Sequence, residues 1–195
     1  MAVTADCPPA PQRILVVAPS ARSTRATLRL VAGSGRCLRV LAGPWPARVG
    51  RNGLSAHHRE GDGTTPLGSF RIGSTVYGVA ADPGTKLAYH RLVCGDWWDE
   101  DPGSPDYNRF VHVACGRAPP FGGGSEALWT YRTAYAHFAV IGYNTARVPG
   151  RGSAIFLHAD TGRPTNGCVS VAHPHLDELL RRLGPGARIV VSVRR

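Results

Sequence analysis

Lysine is almost absent from this 195-residue chain. Lys86 is the only one, so the net charge of +10 rests almost wholly on arginine. The arginines are scattered, with doublets only at Arg181-Arg182 and Arg194-Arg195. A nucleic-acid partner calls for a basic stripe or a readable motif; neither is present, and none is expected. With abundant Ala, Gly and Pro, the arginine skew reads as the mark of a GC-rich genome, and attraction to an anionic polymer fits it equally well. Long apolar runs are missing too: none approaches the roughly 18 residues of a membrane span. The stretch Met1-Ala2-Val3-Thr4-Ala5-Asp6-Cys7-Pro8-Pro9 has no basic start and no apolar core, so it does not read as a signal peptide. Either the protein is cytosolic or Met1 stands in for a removed leader. There is no His-Glu-x-x-His, no Cys-x-x-Cys and no internal repeat.

What is present describes a folded globule. Hydrophobic residues make up 43% and charged residues 18%, a balance that excludes wholesale disorder. The length is enough to bury a core unaided. Gly 24 and Pro 16 are high, and the apolar runs are short, which favours β structure with many turns over a helical bundle. Strands are expected at Arg13–Ala18, Ala26–Val31, Cys37–Leu41, Ser69–Ile72, Tyr89–Val93, Phe110–Ala114, His137–Gly142, Ala154–His158, Cys168–Val171 and Ile189–Val193. One helix is plain: Leu176, Leu179, Leu180 and Leu183 make one apolar face, between Pro174 at its start and Gly184-Pro185 at its end. Asp177 and Glu178 suit its positive end, Arg181 and Arg182 its negative end. A second, shorter helix is expected within Ser125–Tyr135.

Five cysteines leave at least one unpaired in any intramolecular scheme. Of the three connectivities open to four cysteines, proximity favours Cys94–Cys115 and Cys7–Cys37. Two bridges tilt the reading towards export; five reduced thiols would mean a cytosolic protein. Cys168 is the candidate odd one. It follows Gly167, enters the run Val169-Ser170-Val171, and comes shortly after His158, which closes the apolar run Ala154-Ile155-Phe156-Leu157. A thiol needs a base or a cationic neighbour to be nucleophilic at neutral pH, and His158 could serve. The amides of Gly167 and Cys168 could form an oxyanion hole. A core cysteine and a satisfied strand-end histidine are the plainer alternative.

Other clusters carry less. His57-His58 with Glu60 is expected in a surface loop, and His173-x-His175 is explained by capping at the helix start. No zinc or other metal is expected. Asp62-Gly63 and Asp101-Pro102-Gly103 read as turns. Trp97-Trp98, among Asp96, Asp99, Glu100 and Asp101, is either an acidic aromatic lip or a stapled loop with tryptophans packed inward.

His158 followed by Thr165-x-Gly167-Cys168-Val169 resembles the motif of the L,D-transpeptidase catalytic (YkuD) domain, a histidine, a variable loop, then Ser/Thr-His-Gly-Cys. Gly63-Thr64-Thr65-Pro66-Leu67-Gly68-Ser69-Phe70 is similar to the family's Thr-Pro-x-Gly-x-Phe segment. Gly95-Asp96-Trp97-Trp98-Asp99-Glu100-Asp101-Pro102, Tyr107-Asn108, Tyr143-Asn144 and the approach Pro149–His158 resemble a divergent branch. The likeness runs from about Val49 to Val193. It implies a mainly-β, β-sandwich-like catalytic domain over 49–195, with 1–48 adding N-terminal strands to the same domain.

The resemblance also implies a monomeric, exported enzyme of the bacterial envelope, acting on peptidoglycan without a cofactor. Cys168 would be the nucleophile, His158 its base, and Thr165, Asn166, Ser170, Tyr143 and Asn144 would meet substrate. The thiol takes a stem peptide as a thioester, releasing D-alanine. An amine resolves it into a 3→3 cross-link, or water gives carboxypeptidase activity. Two positions depart from the family pattern. Asn166 stands where the family has histidine and can donate a hydrogen bond without carrying charge. Ser170 replaces the family's Arg or Asn and cannot clamp a carboxylate. The rival readings are a wall-binding module without turnover and a cysteine hydrolase of another acyl substrate.

Overall fold

A computed structural model describes residues 11–194. The chain opens with β1 (Gln12–Ala18), β2 (Arg25–Ala32) and β3 (Arg39–Arg48). In β1, Ile14, Val16 and Ala18 point into the core while their neighbours face outward, the period-2 pattern of a half-buried strand. Two short strands, β4 (Leu54–Ser55) and β5 (Thr65–Pro66), pair with each other. The long β6 (Gly68–Gly78) follows, then β7 (Ala88–Arg91). The middle of the chain supplies β8 (Asp96–Asp99), β9 (Arg109–His112) and β10 (Glu126–Ala127), which form a separate sheet in the order β10-β8-β9. Next come β11 (Phe138–Ile141), β12 (Phe156–Ala159), β13 (Val169–Val171), the helix α1 (His173–Arg182) and β14 (Arg188–Val193).

The main sheet runs β11-β12-β13-β3-β2-β1-β14-β6-β7, and β6 also pairs with β11. β6 meets β14 through Gly68–Arg71 and β11 through Ile72–Tyr77. The Arg71 carbonyl accepts from Gly142 and the Ile72 amide donates to the Ala187 carbonyl, so the two partners lie on opposite edges of β6. Eight strands therefore close into a ring, with β7 attached outside it. The mainly-β class is as expected, and β1, β2 and β3 are integral to the ring that carries β13.

Inside the ring, one apolar cluster gathers Ile14, Val16, Leu28, Leu30, Leu157, Val169, Val171 and Ile189 with Leu176, Leu179 and Leu180 of α1 and with Leu183. The three leucines of the helix and Leu183, its C-cap, are fully buried. Its caps differ from expectation. Ala172 caps the N-terminus without a side-chain bond, and no acid lies in the first turn. His175 is not a cap but stacks on Trp45, with centroids 4.8 Å apart. A second cluster (Leu92, Trp98, Leu128, Tyr135, Phe138, Ala154, Phe156) lies between the ring and the small sheet. The helix expected within Ser125–Tyr135 is absent: the segment gives β10 and one 3-10 turn, Leu128–Thr130, because Glu126–Ala127 pairs with Trp97–Trp98.

Cys94 and Cys115 form a disulfide that staples the β8–β9 hairpin, with Cα atoms 5.2 Å apart. The Cys7–Cys37 pairing involves Cys7, which lies outside the described residues. Trp98 is buried edge-on against Phe156, and Trp97 packs on Phe121 and Trp129. The tryptophans thus hold the small sheet together and form no lip. Among the described residues no helix is long and apolar enough to cross a membrane.

Candidate active site

Cys168 is the free cysteine among the described residues. It sits one residue before β13, level with Phe156, whose amide donates to Sγ at 3.3 Å. The thiol in turn donates to the Ala154 carbonyl at 3.2 Å. Ala154 holds a left-handed conformation (φ 51°), sparsely populated for a residue with a Cβ. Asn108 secures it. Its side-chain oxygen accepts from the Ala154 amide (3.2 Å) and the Trp98 indole (3.0 Å), and its NH2 donates to the Tyr143 and Asn144 carbonyls.

Two threonines from distant segments fix the other side of the nucleophile loop. Thr65 donates its hydroxyl to the Cys168 carbonyl at 3.2 Å and accepts from the Gly50 amide at 2.8 Å. Thr165 donates to the same carbonyl at 2.6 Å. Thr165 Oγ1 also accepts from the Gly167 amide at 3.2 Å. The Gly167 amide is therefore engaged inside its own turn. Glycine is required there for backbone reasons. With φ 150°, a Cβ would press on Ile155, the Thr64 carbonyl and His58.

Cys168 lies in a cleft of about 390 Å³ lined by carboxylates: Glu60, Glu100 and Glu126. Ser153 donates to Glu60 at 2.9 Å, Tyr107 donates to the same Glu60 oxygen, and Tyr135 donates to Glu126. Glu100 Oε1 is buried without a hydrogen-bond partner. Burial, then the charges of Glu126 and Glu60, push the Glu100 carboxyl up to about 9. Burial raises Glu126 as well. The Cys168 thiol is pushed far up, chiefly by burial and then by the Glu126 charge, against the Phe156 amide that favours the thiolate. The resting group is a neutral thiol, so attack needs a base.

His158 lies on β12, paired with Ser170 of β13 two positions beyond Cys168. Two strand residues span about 6–7 Å, and no hydrogen bond joins the two side chains among the described contacts. They share a neighbour in Tyr135, whose ring packs edge-on to His158 at 5.9 Å and whose hydroxyl pKa is raised by burial and then by the Glu126 and Cys168 charges. The Nδ1–H of His158 donates to the Ala159 carbonyl at 2.8 Å, leaving Nε2 with a lone pair. Burial lowers its pKa, which keeps the imidazole in its neutral form.

Of the residues expected to meet substrate, Asn166 lines the cleft, its amide oxygen accepting from Arg51. The other four do not line it. Ser170 is fully buried and donates to Asp160 at 3.2 Å. Tyr143 donates to the His58 carbonyl at 3.0 Å and packs on Phe70. Asn144 ties its own loop through the Val148 and Gly152 carbonyls. Thr165 acts through the backbone of Gly167 and Cys168.

His58 corrects the surface-loop expectation. It is 6% exposed and lines the same cleft as Cys168. Nδ1 lies 3.0 Å from Asp62 Oδ1 and 3.1 Å from Thr64 Oγ1. Its Cε1–Nε2 edge fits between two glycines: a Cβ at Gly152 would overlap Nε2, and one at Gly167 would press on Cε1. Tyr143 closes edge-on at 5.1 Å. Burial lowers the His58 pKa, partly offset by Asp62. Burial alone would raise Asp62, but hydrogen bonds from Thr64 and Arg59 hold it below the ordinary value. The sequence signal for this pair was histidine and aspartate four apart (His58, Asp62), masked by the adjacent His57.

Among the described residues, His137, His173 and Asp177 offer metal-ligand atoms within 4.8 Å of one another. His137 there is held by Asp177 (2.7 Å) and the Ala81 carbonyl (2.7 Å); none of the three lines the cleft.

A closed β ring that presents a free thiol in a carboxylate-lined cleft has the parts of a cysteine acyltransferase. The model of the L,D-transpeptidase catalytic domain (YkuD) matches residues 12–191, and the chain belongs to that family. The family works on peptidoglycan. No curated protein and no solved structure shows a significant match.

Proposed function

We propose that this protein is an exported peptidoglycan L,D-transpeptidase whose Cys168 takes the stem peptide as a thioester. The observation that carries the reading is a free thiol in a lined cleft of a chain in this family. His158, neutral with Nε2 free, takes the thiol proton as substrate enters; the carbonyl carbon bonds to Sγ, and D-alanine leaves with the proton. An amine then resolves the thioester, entering the cleft lined by Glu60, Glu100 and Glu126. Export is supported by the Cys94–Cys115 bridge. The ring that includes β1–β3 supports one catalytic unit reaching into 1–48. An anionic wall polymer would suit the groove of Arg25, Arg29 and Arg48 beside Trp45.

A carbapenem is the direct probe of the thiol. Intact-mass spectrometry is expected to show one adduct on the wild type and none on Cys168→Ala, with His158→Ala acylating at least ~10²-fold more slowly. No adduct on the wild type would turn the reading to a wall-binding module. An adduct without D-alanine release from muropeptides would turn it to a hydrolase of another acyl substrate.

A further inference from the structure

We propose that His58, oriented by Asp62, is the general base that deprotonates the acceptor in the second half of the reaction. The inference rests on Cys168 carrying the acyl group as above. It starts from a division of geometry. His158 flanks the thiol from within the sheet and does not line the cleft. His58 lines it together with Asn166, Gly167 and Ser153.

The histidine is built as a base. Asp62 is an acceptor, so the Nδ1 facing it at 3.0 Å carries the proton and Nε2 keeps its lone pair. Thr64 donates its hydroxyl to Asp62 at 2.8 Å, as its amide does, which fixes the carboxylate. Gly152 and Gly167 bring backbone, with no side chain, against the Cε1–Nε2 edge. The groups that face the ring are Asp62, Glu60 and Tyr143, and burial keeps the imidazole neutral in the range where an acceptor must lose a proton. The family motif has a histidine where this chain has Asn166. His58 brings an imidazole to that neighbourhood from another segment, against Gly167.

The step balances. A neutral amine attacks the thioester carbon and the new C–N bond forms. His58 Nε2 takes the N–H proton, the C–S bond breaks, and Sγ leaves as thiolate, which recovers that proton from His58 so that both groups return to their neutral forms. With water as acceptor the same transfer gives the acid.

The test separates the two halves with a disaccharide-tetrapeptide as donor and acceptor. His58→Gln is expected to release one equivalent of D-alanine at the wild-type rate, then stall with the acyl-enzyme mass accumulating and steady turnover down by at least ~10²-fold. Asp62→Asn, which keeps the shape, should stall in the same way but less deeply. Hydroxylamine, a nucleophile that arrives unprotonated and needs no base, should clear the stalled thioester of His58→Gln as fast as that of the wild type. A merely structural role would slow the first equivalent and would not be rescued. Steady turnover unchanged in His58→Gln, or loss of the first equivalent in both variants, overturns the inference while Cys168 stands as nucleophile. Absence of any thioester on the wild type overturns both.

Discussion

Glu100 is the most displaced acid in the cleft, and the sign of its effect follows directly. Its ordinary value is 4.5, and in the fold it ionises only at about 9. The stability tied to its proton is fully present below pH 4.5 and is lost as pH rises towards 9, where a buried anion must form. By pH 7 the loss is on the order of 3 kcal/mol, and Glu126 adds to it in the same direction. Glu100→Gln should therefore match the wild type in thermal unfolding near pH 4 and exceed it at pH 8. Parallel Tm curves across that range would count against the displaced carboxyl. Local chemistry made Cys168 legible in the sequence, since a glycine, a thiol and a short apolar run lie side by side. The acids were not legible: Glu60, Glu100 and Glu126 come from three separate segments and meet only through the β8–β10 pairing and the loop before β5. His58 was hidden for the same reason, because Gly152, Tyr143 and Gly167 bury it across about a hundred positions of chain.

At the scale of elements, β3 was read far too short. It runs Arg39–Arg48, where the sequence promised only Cys37–Leu41, and the observed strand carries Pro44 and Pro46. The register with β2 shifts on either side of Leu30, and such irregularities are where a strand accommodates residues that cannot donate to the ladder. The helix was legible in full because its four leucines keep one period, whereas its end groups were not, since His175 and Asp177 answer to Trp45 and His137 rather than to the helix. The β8–β9 hairpin depends on its staple across a sequence separation of 21. Replacing Cys94 and Cys115 together by serine should cost about 3 kcal/mol of stability by the loop-entropy estimate. Calorimetry would read it, and carbapenem acylation of Cys168 at low temperature should persist, because the thiol rests on the ring.

For the molecule as a whole, the likeness legible in the sequence began near Val49, whereas the family model matches from residue 12. Strands β1, β2 and β3 supply three of the eight ring strands and pair directly with β14 and β13. A fragment of residues 49–195 should fail to give cooperative unfolding or dispersed amide resonances, while the full chain gives both; a well-folded fragment would refute this. Ring closure was beyond the sequence because it depends on β6 using both edges, a long-range pairing that no local pattern encodes.

That closure also decides how a peptide can be read. Strands β11, β12 and β13 each have both neighbours in place, so none offers an open ladder for an extended stem peptide to join as an added strand. Recognition has to come instead from side chains and loop carbonyls at the rim, and a chain held that way can be branched or D-configured without loss of register.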